Sequence, residues 1–284
     1  MNNIPIEDLE KMALSVRERI IKMATKGGCF LGASLSAVDI LTYLYTQFLC
    51  IQKEHLNDPN RDYLLLSKGH DVPALYGLFV DLGWLEEARL ENHLSTNDSI
   101  YWHPNRNIPG VEFHSGSLGQ LPSVALGIAL DIQMKKAKNK VVCVLGDGEL
   151  NEGSCWETFL VTNAKKVDNL IFVIDRNFFQ ANMATEELIP LESLEEKFTA
   201  FGLQVQRING HNFLELHQAF QYAADSKGAQ IIICDTVRGK GLHSIEARSD
   251  RWFCNFSEQE ITELLAELHQ EKMANIKSET IVAR

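Results

Sequence analysis

The chain has 284 residues, of which 45% are hydrophobic and 23% are charged, with only 7 prolines. This composition is typical of a folded globular protein and excludes a disordered or collagen-like chain. The formal net charge of -11 argues against nucleic acid or an anionic membrane surface as a partner. The length is compatible with a single α/β domain over residues 1–284, which is the organisation we predict.

The amino terminus and the cysteines indicate the compartment. Residues 1–10 include three acidic side chains and no long apolar run, so we expect no signal peptide. The six cysteines form no CxxC pair, which is typical of free thiols in a reducing compartment. Apolar runs are far shorter than the roughly 20 residues that span a bilayer. We therefore predict a cytoplasmic protein without a membrane span.

Helix and strand patterns alternate along the chain. Apolar residues at helical spacing predict helices over 7–25, 34–49, 118–138, 153–166, 191–201, 212–227 and 257–273. Short β-branched runs predict strands over 63–66, 141–145, 170–175, 203–208 and 231–235. From residue 118 onward the two kinds of element alternate along the chain. This alternation indicates an α/β fold with a doubly wound, mostly parallel sheet of buried strands and helices on both faces. The long segment 92–116 has neither pattern, and we predict that it is a functional loop.

Polar residues follow two successive strands of this predicted sheet. One strand runs directly into Gly146, Asp147 and Gly148, and the next strand ends at Asn177. Because a right-handed crossover makes the two strands parallel, both ends open on the same edge of the sheet. Asp147, Asn177 and the backbone carbonyl of Phe179 offer oxygen ligands of the kind that Mg²⁺ prefers when a diphosphate completes its shell. The two glycines would let the backbone approach that diphosphate closely.

Several further motifs occur in a fixed order. The main ones are Gly32-Ala33-Ser34-Leu35-Ser36, Ser67-Lys68-Gly69-His70, Pro109-Gly110-Val111-Glu112, Gly116-Ser117-Leu118-Gly119-Gln120, Gly146-Asp147-Gly148-Glu149, Asp175-Arg176-Asn177, Asn209-Gly210-His211 and Thr236-Val237-Arg238-Gly239-Lys240-Gly241. In this set and order the chain resembles the amino-terminal, thiamine diphosphate-binding domain of transketolase, in the form found in bacteria and archaea where the enzyme is divided between two polypeptides. The resemblance covers essentially the whole chain.

The resemblance implies an enzyme that uses thiamine diphosphate and Mg²⁺ to cleave a ketose-type donor and to transfer a two-carbon fragment to an aldehyde acceptor. It implies Asp147, Asn177 and the Phe179 carbonyl as metal ligands and His103 as a catalytic residue at the substrate. The cofactor-binding positions that it implies are His70, Gly116, Leu118, Gly146, Gly148, Glu149 and Asn177.

Four other positions stay open between two interpretations. Lys240 either approaches the diphosphate or is a solvated loop lysine, and His114 either lines the cavity or packs elsewhere. His211 is expected to be a turn residue. Glu152 is either a carboxylate at a subunit interface or an acidic residue at a helix amino terminus.

The resemblance also implies a partner. In the family, the glutamate that activates the pyrimidine ring lies on a second domain, for which this chain has no room. We therefore expect the chain to be inactive alone. The expected active form is a heterotetramer with a separate, C-terminal-type transketolase subunit that carries the pyrimidine-binding domain, and it would act on small-molecule keto and aldehyde substrates.

Two family histidines are replaced by Phe30 and Phe253. A phenyl ring neither moves protons nor hydrogen-bonds a hydroxyl group, although His243 is an open substitute for the lost group. We predict a donor other than an ordinary pentose phosphate, such as a 2-oxo acid or a deoxy or otherwise modified ketose. Two alternatives remain: an acyloin-forming or deoxyxylulose-phosphate-synthase-like enzyme with a 2-oxo acid donor, and a non-catalytic cofactor-binding scaffold subunit.

Overall fold

A computed structural model describes residues 4–278; residues 1–3 and 279–284, which the predicted domain 1–284 includes, lie outside the described part. Its strands are β1 (Tyr63–Leu66), β2 (Val141–Gly146), β3 (Leu170–Arg176), β4 (Phe179–Gln180), β5 (Met183–Ala184), β6 (Gln204–Asn209) and β7 (Gln230–Asp235). Five of them form one sheet in the order β1-β2-β3-β7-β6, and β4 pairs with β5 in a small hairpin. Every pairing in the five-stranded sheet is parallel.

Helices cover this sheet. They are α1 (Ile6–Met23), α2 (Leu31–Ser36), α3 (Val38–Tyr43), α4 (Val72–Asp81), α5 (Leu121–Met134), α6 (Gly153–Ala164), α7 (Thr185–Leu188), α8 (Leu194–Ala200), α9 (Phe213–Asp225) and α10 (Glu258–Leu268). A π-helical turn, Leu44–Phe48, extends α3. No helix within residues 4–278 combines the length and the apolarity that crossing a membrane requires.

The alternation of side chains in the central strands builds a core on each face of the sheet. In β2, Val142 and Val144 point to the core that α1, α3, α4, α9 and α10 cover. Cys143 and Leu145 point to the opposite core, which α5, α6 and α8 cover. Because both faces are covered, β2 and β3 are buried along their whole length. This is the predicted doubly wound α/β fold, and the prediction is confirmed.

Some elements differ from the predictions. Helix α4 was not predicted because eight of its ten residues are buried and apolar residues surround it, so the sequence shows no amphipathic stripe. The strand predicted as buried over 203–208 is the edge strand β6, which is partly exposed because only one side of it is paired. The helix predicted over 34–49 begins earlier, at Leu31, and is divided near Ala37. Of the loop predicted over 92–116, residue Asn92 ends a 3-10 helix, Glu87–Asn92, and the rest contains neither helix nor strand, which is also true of residues 117–120.

Candidate active site

The carboxyl ends of β1, β2, β3 and β7 open onto one cavity of about 390 Å³. All ten residues that the sequence assigned to a site line it: His70, His103, Gly116, Leu118, Gly146, Asp147, Gly148, Glu149, Asn177 and Phe179. They meet because the parallel register places Gly146 beside Asp175, so the segments that follow β2 and β3 leave the sheet together. This edge of a doubly wound sheet is where such folds bind ligands.

The carboxylate of Asp147 is buried and held by three donors. Its Oδ1 accepts a hydrogen bond from the Gly148 amide at 2.7 Å. Its Oδ2 accepts from the Phe178 amide at 2.7 Å and from Arg176 Nη1 at 2.9 Å. Burial raises the pKa of Asp147 to about 6, although Arg176 opposes this shift. A carboxylate has about four lone-pair positions, so one remains for a further ligand.

Asn177 is 5% exposed and follows β3 directly. Its Oδ1 accepts a hydrogen bond from the Phe179 amide at 3.1 Å, and its Nδ2 donates to Ser36 Oγ at 3.4 Å. One lone pair of the amide oxygen therefore remains available. Phe178, which lies between Asn177 and Phe179, adopts the left-handed region with φ 70°. The centroid of its ring lies 4.1 Å from the guanidinium carbon of Arg176.

A buried charge network lies beneath the cavity. Lys68 Nζ is 2.7 Å from Asp71 Oδ2 and also donates to Asp175. The same Asp175 carboxylate accepts hydrogen bonds from Ser36 Oγ at 2.6 Å and from the hydroxyl of Thr236. Burial raises the pKa of Asp71 to about 7, against the effect of Lys68. The charge of Lys68 is thus paired within the chain.

Glu149 lines the cavity, but its oxygens face neighbouring loops. Oε1 accepts hydrogen bonds from the Ser67 hydroxyl and from the Gly119 amide, the latter at 2.8 Å. Oε2 accepts from the Gly146 amide at 3.3 Å. Burial raises the pKa of Glu149. The side chain therefore joins the segment after β1, the loop that contains Gly119 and the end of β2.

Two histidines face the cavity and share an aromatic neighbour. The Phe30 ring lies 5.4 Å from the His70 ring and 5.9 Å from the His103 ring, measured between centroids. Burial lowers the pKa of both histidines, and Lys68 lowers that of His70 further, so both are neutral near pH 7. Gly116 has φ +128°, and a Cβ there would lie 2.4 Å from His103 Cδ2. The glycine therefore leaves the space that His103 occupies.

Aromatic side chains form one wall of the cavity. The Phe30 ring lies 5.0 Å from the Trp252 ring, and both side chains line the cavity. Phe253 packs against Phe30 at 5.2 Å and against Trp102 at 5.7 Å, but it is not among the lining residues. Of the two phenylalanines that the resemblance sets against histidines, Phe30 therefore meets the cavity directly and Phe253 packs behind it.

The structure separates the positions that the sequence left open. Lys240, His114 and His243 lie outside the cavity lining, so His243 does not replace a lost histidine there. His211 is more than a turn residue, because its ring contacts Asp39 at 2.6 Å and accepts a hydrogen bond from the Val237 amide at 2.8 Å. The Glu152 side chain packs beside Gly119, immediately before α6.

Sequence reasoning missed two charged residues of the cavity, Lys68 and Arg238. Lys68 lies in the second of the ordered motifs, but only the neighbouring His70 was assigned. Arg238 lies two residues before Lys240 in the last motif, and it is Arg238 whose side chain lines the cavity. A basic residue in that motif was thus a usable signal, although the sequence did not show which one points inward.

Comparisons with known proteins identify the family. Residues 13–281 match the family described as transketolase, thiamine diphosphate binding domain. The chain belongs to this family. The predictions of a transketolase-like transferase and of thiamine diphosphate as its cofactor are thereby confirmed.

Two relatives match along almost their full length. The chain is 32% identical to an apulose-4-phosphate transketolase subunit of Actinobacillus succinogenes, over 87% of this chain and 91% of the relative. It is 34% identical to the 6-deoxy-6-sulfo-D-fructose transketolase subunit SqwG of Clostridium sp., over 93% of this chain and 97% of the relative. Human transketolase is 31% identical, but the match spans only 38% of its length. The chain therefore corresponds to the amino-terminal subunit of a split transketolase, and the subunit names of its relatives imply a separate partner chain.

Solved structures agree with this assignment. The transketolase of Campylobacter jejuni superposes with a TM-score of 0.84 at 26% identity, over 95% of this chain and 44% of that structure. The transketolase of Leishmania mexicana superposes with a TM-score of 0.83 at 22% identity, over 95% of this chain and 42% of that structure, which shows the shared fold.

Proposed function

We propose that residues 1–284 form one domain that binds thiamine diphosphate and Mg²⁺ and that completes a transketolase active site with a separate subunit carrying the pyrimidine-binding domain. The observation that carries this proposal is the cavity at the carboxyl ends of four parallel strands, where Asp147, Asn177 and Phe179 face the same space. A heterotetramer of two such pairs is the assembly we propose.

The residues of the cavity fit a divalent ion and a diphosphate. The carboxylate of Asp147 and the amide oxygen of Asn177 each keep a free lone pair, and the Phe179 carbonyl supplies a third hard oxygen, which suits Mg²⁺. Gly148 leaves room for the Gln180 side chain, which also lines the cavity, because a Cβ at position 148 would lie 2.8 Å from it. The cavity volume of about 390 Å³ falls within the range of small-molecule sites.

Each side chain of the site has a specific task in this proposal. When bound, thiamine diphosphate supplies the nucleophilic carbon that breaks and forms the carbon–carbon bond. Asp147 provides the negative charge for the ion, and Arg176, itself paired with Glu186 and Glu192, holds that carboxylate in place. Neutral His103 offers one nitrogen that accepts a proton and one that donates, which suits a substrate hydroxyl.

The aromatic wall supports a modified ketose as donor. The Phe30 ring lies against His70, His103 and Trp252, and a phenyl ring offers no hydrogen bond to a substrate hydroxyl. The names of two relatives refer to apulose 4-phosphate and to 6-deoxy-6-sulfo-D-fructose. We extend to this chain the broader class that these names share, a ketose other than the common pentose phosphates. A 2-oxo acid donor is the alternative that the same wall allows.

A donor screen on the two-subunit complex tests the proposal. The tagged chain is purified with the protein that co-elutes with it, and each candidate donor is tested with thiamine diphosphate, Mg²⁺ and an aldehyde acceptor. We expect turnover by the complex, none by the chain alone, and a higher kcat/KM for modified ketoses than for xylulose 5-phosphate. Efficient turnover of xylulose 5-phosphate would refute the donor assignment, turnover of pyruvate alone would favour the 2-oxo acid reaction, and full activity of the isolated chain would refute the need for a partner.

Phe30→His is the matched variant for the same screen. Introducing an imidazole gives the wall a hydrogen-bonding group without a large change in ring size, so we expect the preference to shift toward hydroxyl-rich ketoses by about 10- to 100-fold. Phe113→His, at an exposed ring outside this cavity, is the control and should leave the preference unchanged.

A further inference from the structure

Two cysteines face each other directly across a short backbone pairing. Cys29 and Cys254 form an isolated antiparallel bridge outside the strands named above. The Cys29 amide donates to the Cys254 carbonyl oxygen at 3.0 Å, and the Cys254 amide donates to the Cys29 carbonyl oxygen at 2.9 Å. The Cα atoms of a pair that exchanges both hydrogen bonds are about 5.5 Å apart, which is a usual separation in disulfides. The backbone therefore already holds these two cysteines at the spacing that a disulfide needs.

The two thiols lie on the same side of this bridge. Directly opposed residues of an antiparallel pair share one face, and both side chains belong to the same core, at 0% and 1% exposure. Both are free thiols. Each sulfur has one weak contact with a backbone carbonyl oxygen: Cys29 Sγ lies 3.9 Å from that of Ile20, and Cys254 Sγ lies 3.6 Å from that of Arg251. Little is lost if the two sulfurs bond to each other instead.

A second buried pair differs in its backbone. Cys143 and Cys155 are fully buried in the other core. Cys143, in β2, is paired with Leu65 and Phe172 of the neighbouring strands, whereas Cys155 lies in α6. Burial in a common core is therefore shared by both pairs, and the direct backbone bridge distinguishes Cys29 and Cys254.

The bridge joins the two segments that carry the aromatic wall. Phe30 follows Cys29 and Phe253 precedes Cys254, and the centroids of the two phenyl rings lie 5.2 Å apart. Phe30 lines the cavity, so a covalent bond between the cysteines would fix a part of the wall that faces it. The bridge consists of two backbone hydrogen bonds, and so short a pairing opens locally more readily than a buried sheet does. Such opening gives a small oxidant access to the sulfurs.

We infer that Cys29 and Cys254 form a reversible disulfide when the protein meets a peroxide, and that this bond locks the aromatic wall. In the first step one sulfur attacks a peroxide oxygen, the O–O bond breaks, and a sulfenic acid and water are formed. In the second step the other sulfur attacks the sulfenic sulfur, the S–O bond breaks, and the oxygen leaves as water. The two thiols thus lose two hydrogens and two electrons, and hydrogen peroxide is reduced to two waters. The inference does not depend on the proposed function.

The rate of this reaction should depend on pH. Burial raises the pKa of both thiols, that of Cys254 to about 12, and the nearby Cys254 raises the pKa of Cys29 further. Because the thiolate is the reactive form, oxidation should be slow at neutral pH and faster at higher pH.

Peptide mapping of the oxidised protein tests the inference. The full chain, purified with the protein that co-elutes with it, is treated with hydrogen peroxide, alkylated and digested with chymotrypsin, which cleaves between Cys29 and exposed Cys50. We expect the Cys29 and Cys254 peptides to be joined in mass spectra and to separate after dithiothreitol. Oxidation of Cys50 while Cys29 and Cys254 stay free would overturn the inference. Equal cross-linking of Cys143 with Cys155 would overturn it as well, because burial alone would then suffice.

Thermal unfolding shows whether the bond forms in the folded chain. The link would close a loop over most of the sequence, so the oxidised protein should have a Tm roughly 5 to 15 °C above that of the reduced protein. Cys254→Ala should abolish this rise, whereas the matched control Cys143→Ala, which removes a buried thiol outside the bridge, should keep it. A rise that persists in Cys254→Ala, or a cross-link that forms only in urea, would overturn the inference. If a variant does not fold, the mapping of wild type still decides.

Discussion

Replacing Gly148 by alanine tests the geometry of the proposed diphosphate site. A Cβ at this position would lie 2.8 Å from Cβ and Cγ of Gln180 and 3.2 Å from its Cδ. Gln180 has little freedom to move away, because it belongs to the β4–β5 hairpin and its Oε1 accepts a hydrogen bond from Asn151 Nδ2 at 2.6 Å. The backbone at Gly148 is not in the left-handed region, so any effect of the methyl group comes from this contact.

The size of the effect follows from the overlap. Overpacking of this kind typically destabilises a protein by about 1–3 kcal/mol. Relief of the contact requires the hairpin to shift, and the shift moves the carbonyl of Phe179, which precedes Gln180. We therefore expect Gly148→Ala to lower the free energy of unfolding by about 1–3 kcal/mol and to weaken Mg²⁺-dependent binding of thiamine diphosphate, with a smaller effect on thiamine.

Gly127→Ala is the matched control. Gly127 lies in the interior of α5, and an added Cβ there meets no atom within 4 Å, so the variant should be more stable than wild type by up to about 1 kcal/mol. Urea unfolding measures the stability of both variants, and calorimetry with Mg²⁺ measures their cofactor affinity. Wild-type affinity and undiminished stability in Gly148→Ala would refute the assignment of this turn to the diphosphate.

Three further variants test a buried titratable group, the anchor of a loop and the cap of a helix. The pKa of Asp71 in the folded chain is about 7, above its ordinary value of 3.8, so between these pH values the folded chain binds a proton that the unfolded chain has lost. The free energy of unfolding should therefore fall as the pH rises from about 4 to 7. Asp71→Asn should flatten this pH dependence in urea unfolding, and an unchanged pH dependence would contradict the argument. Glu112 accepts two hydrogen bonds from Arg61, at 2.5 and 2.9 Å, and this ion pair anchors the loop 93–120. Glu112→Gln should therefore raise the hydrogen-exchange rates of that loop and lower kcat/KM. Exchange rates equal to those of wild type would argue against the anchor. Ser257→Ala removes the capping box of α10 and should lower the unfolding free energy by about 1 kcal/mol without changing cofactor affinity, which a binding assay would show.

The site was predictable because its main residues lie at junctions between strands and loops. One strand ends at Gly146 and is followed by Asp147 and Gly148, and the next strand ends just before Asn177. Parallel neighbouring strands bring their carboxyl ends to one edge of the sheet, and the register shows that these two strands are parallel neighbours. This inference needs only the length of the strands and the handedness of the crossover.

The orientation of single side chains was not predictable in the same way. Arg238 and Lys240 flank Gly239, which has φ 79°, so the chain reverses between them and sends only one side chain inward. The choice depends on Phe179, Ala181 and Gly32, which approach Arg238 from distant parts of the sequence. For the same reason helix α4 left no pattern, since the elements around it rather than its own sequence determine that it is buried on every side.

The net charge of -11 and the charge of the proposed cofactor have the same sign, so the fold as a whole repels the diphosphate and the cavity must overcome that repulsion locally. The pairing of the buried charges shows where the attraction is located. Lys68 and Arg176 are each bound to carboxylates of this chain, so in our proposal the divalent ion on Asp147 and Asn177 supplies positive potential that these two side chains do not. Because the proposed ion acts on the diphosphate, removing Mg²⁺ with a chelator should weaken the binding of thiamine diphosphate far more than the binding of thiamine, and equal losses for both ligands would contradict this role of the ion.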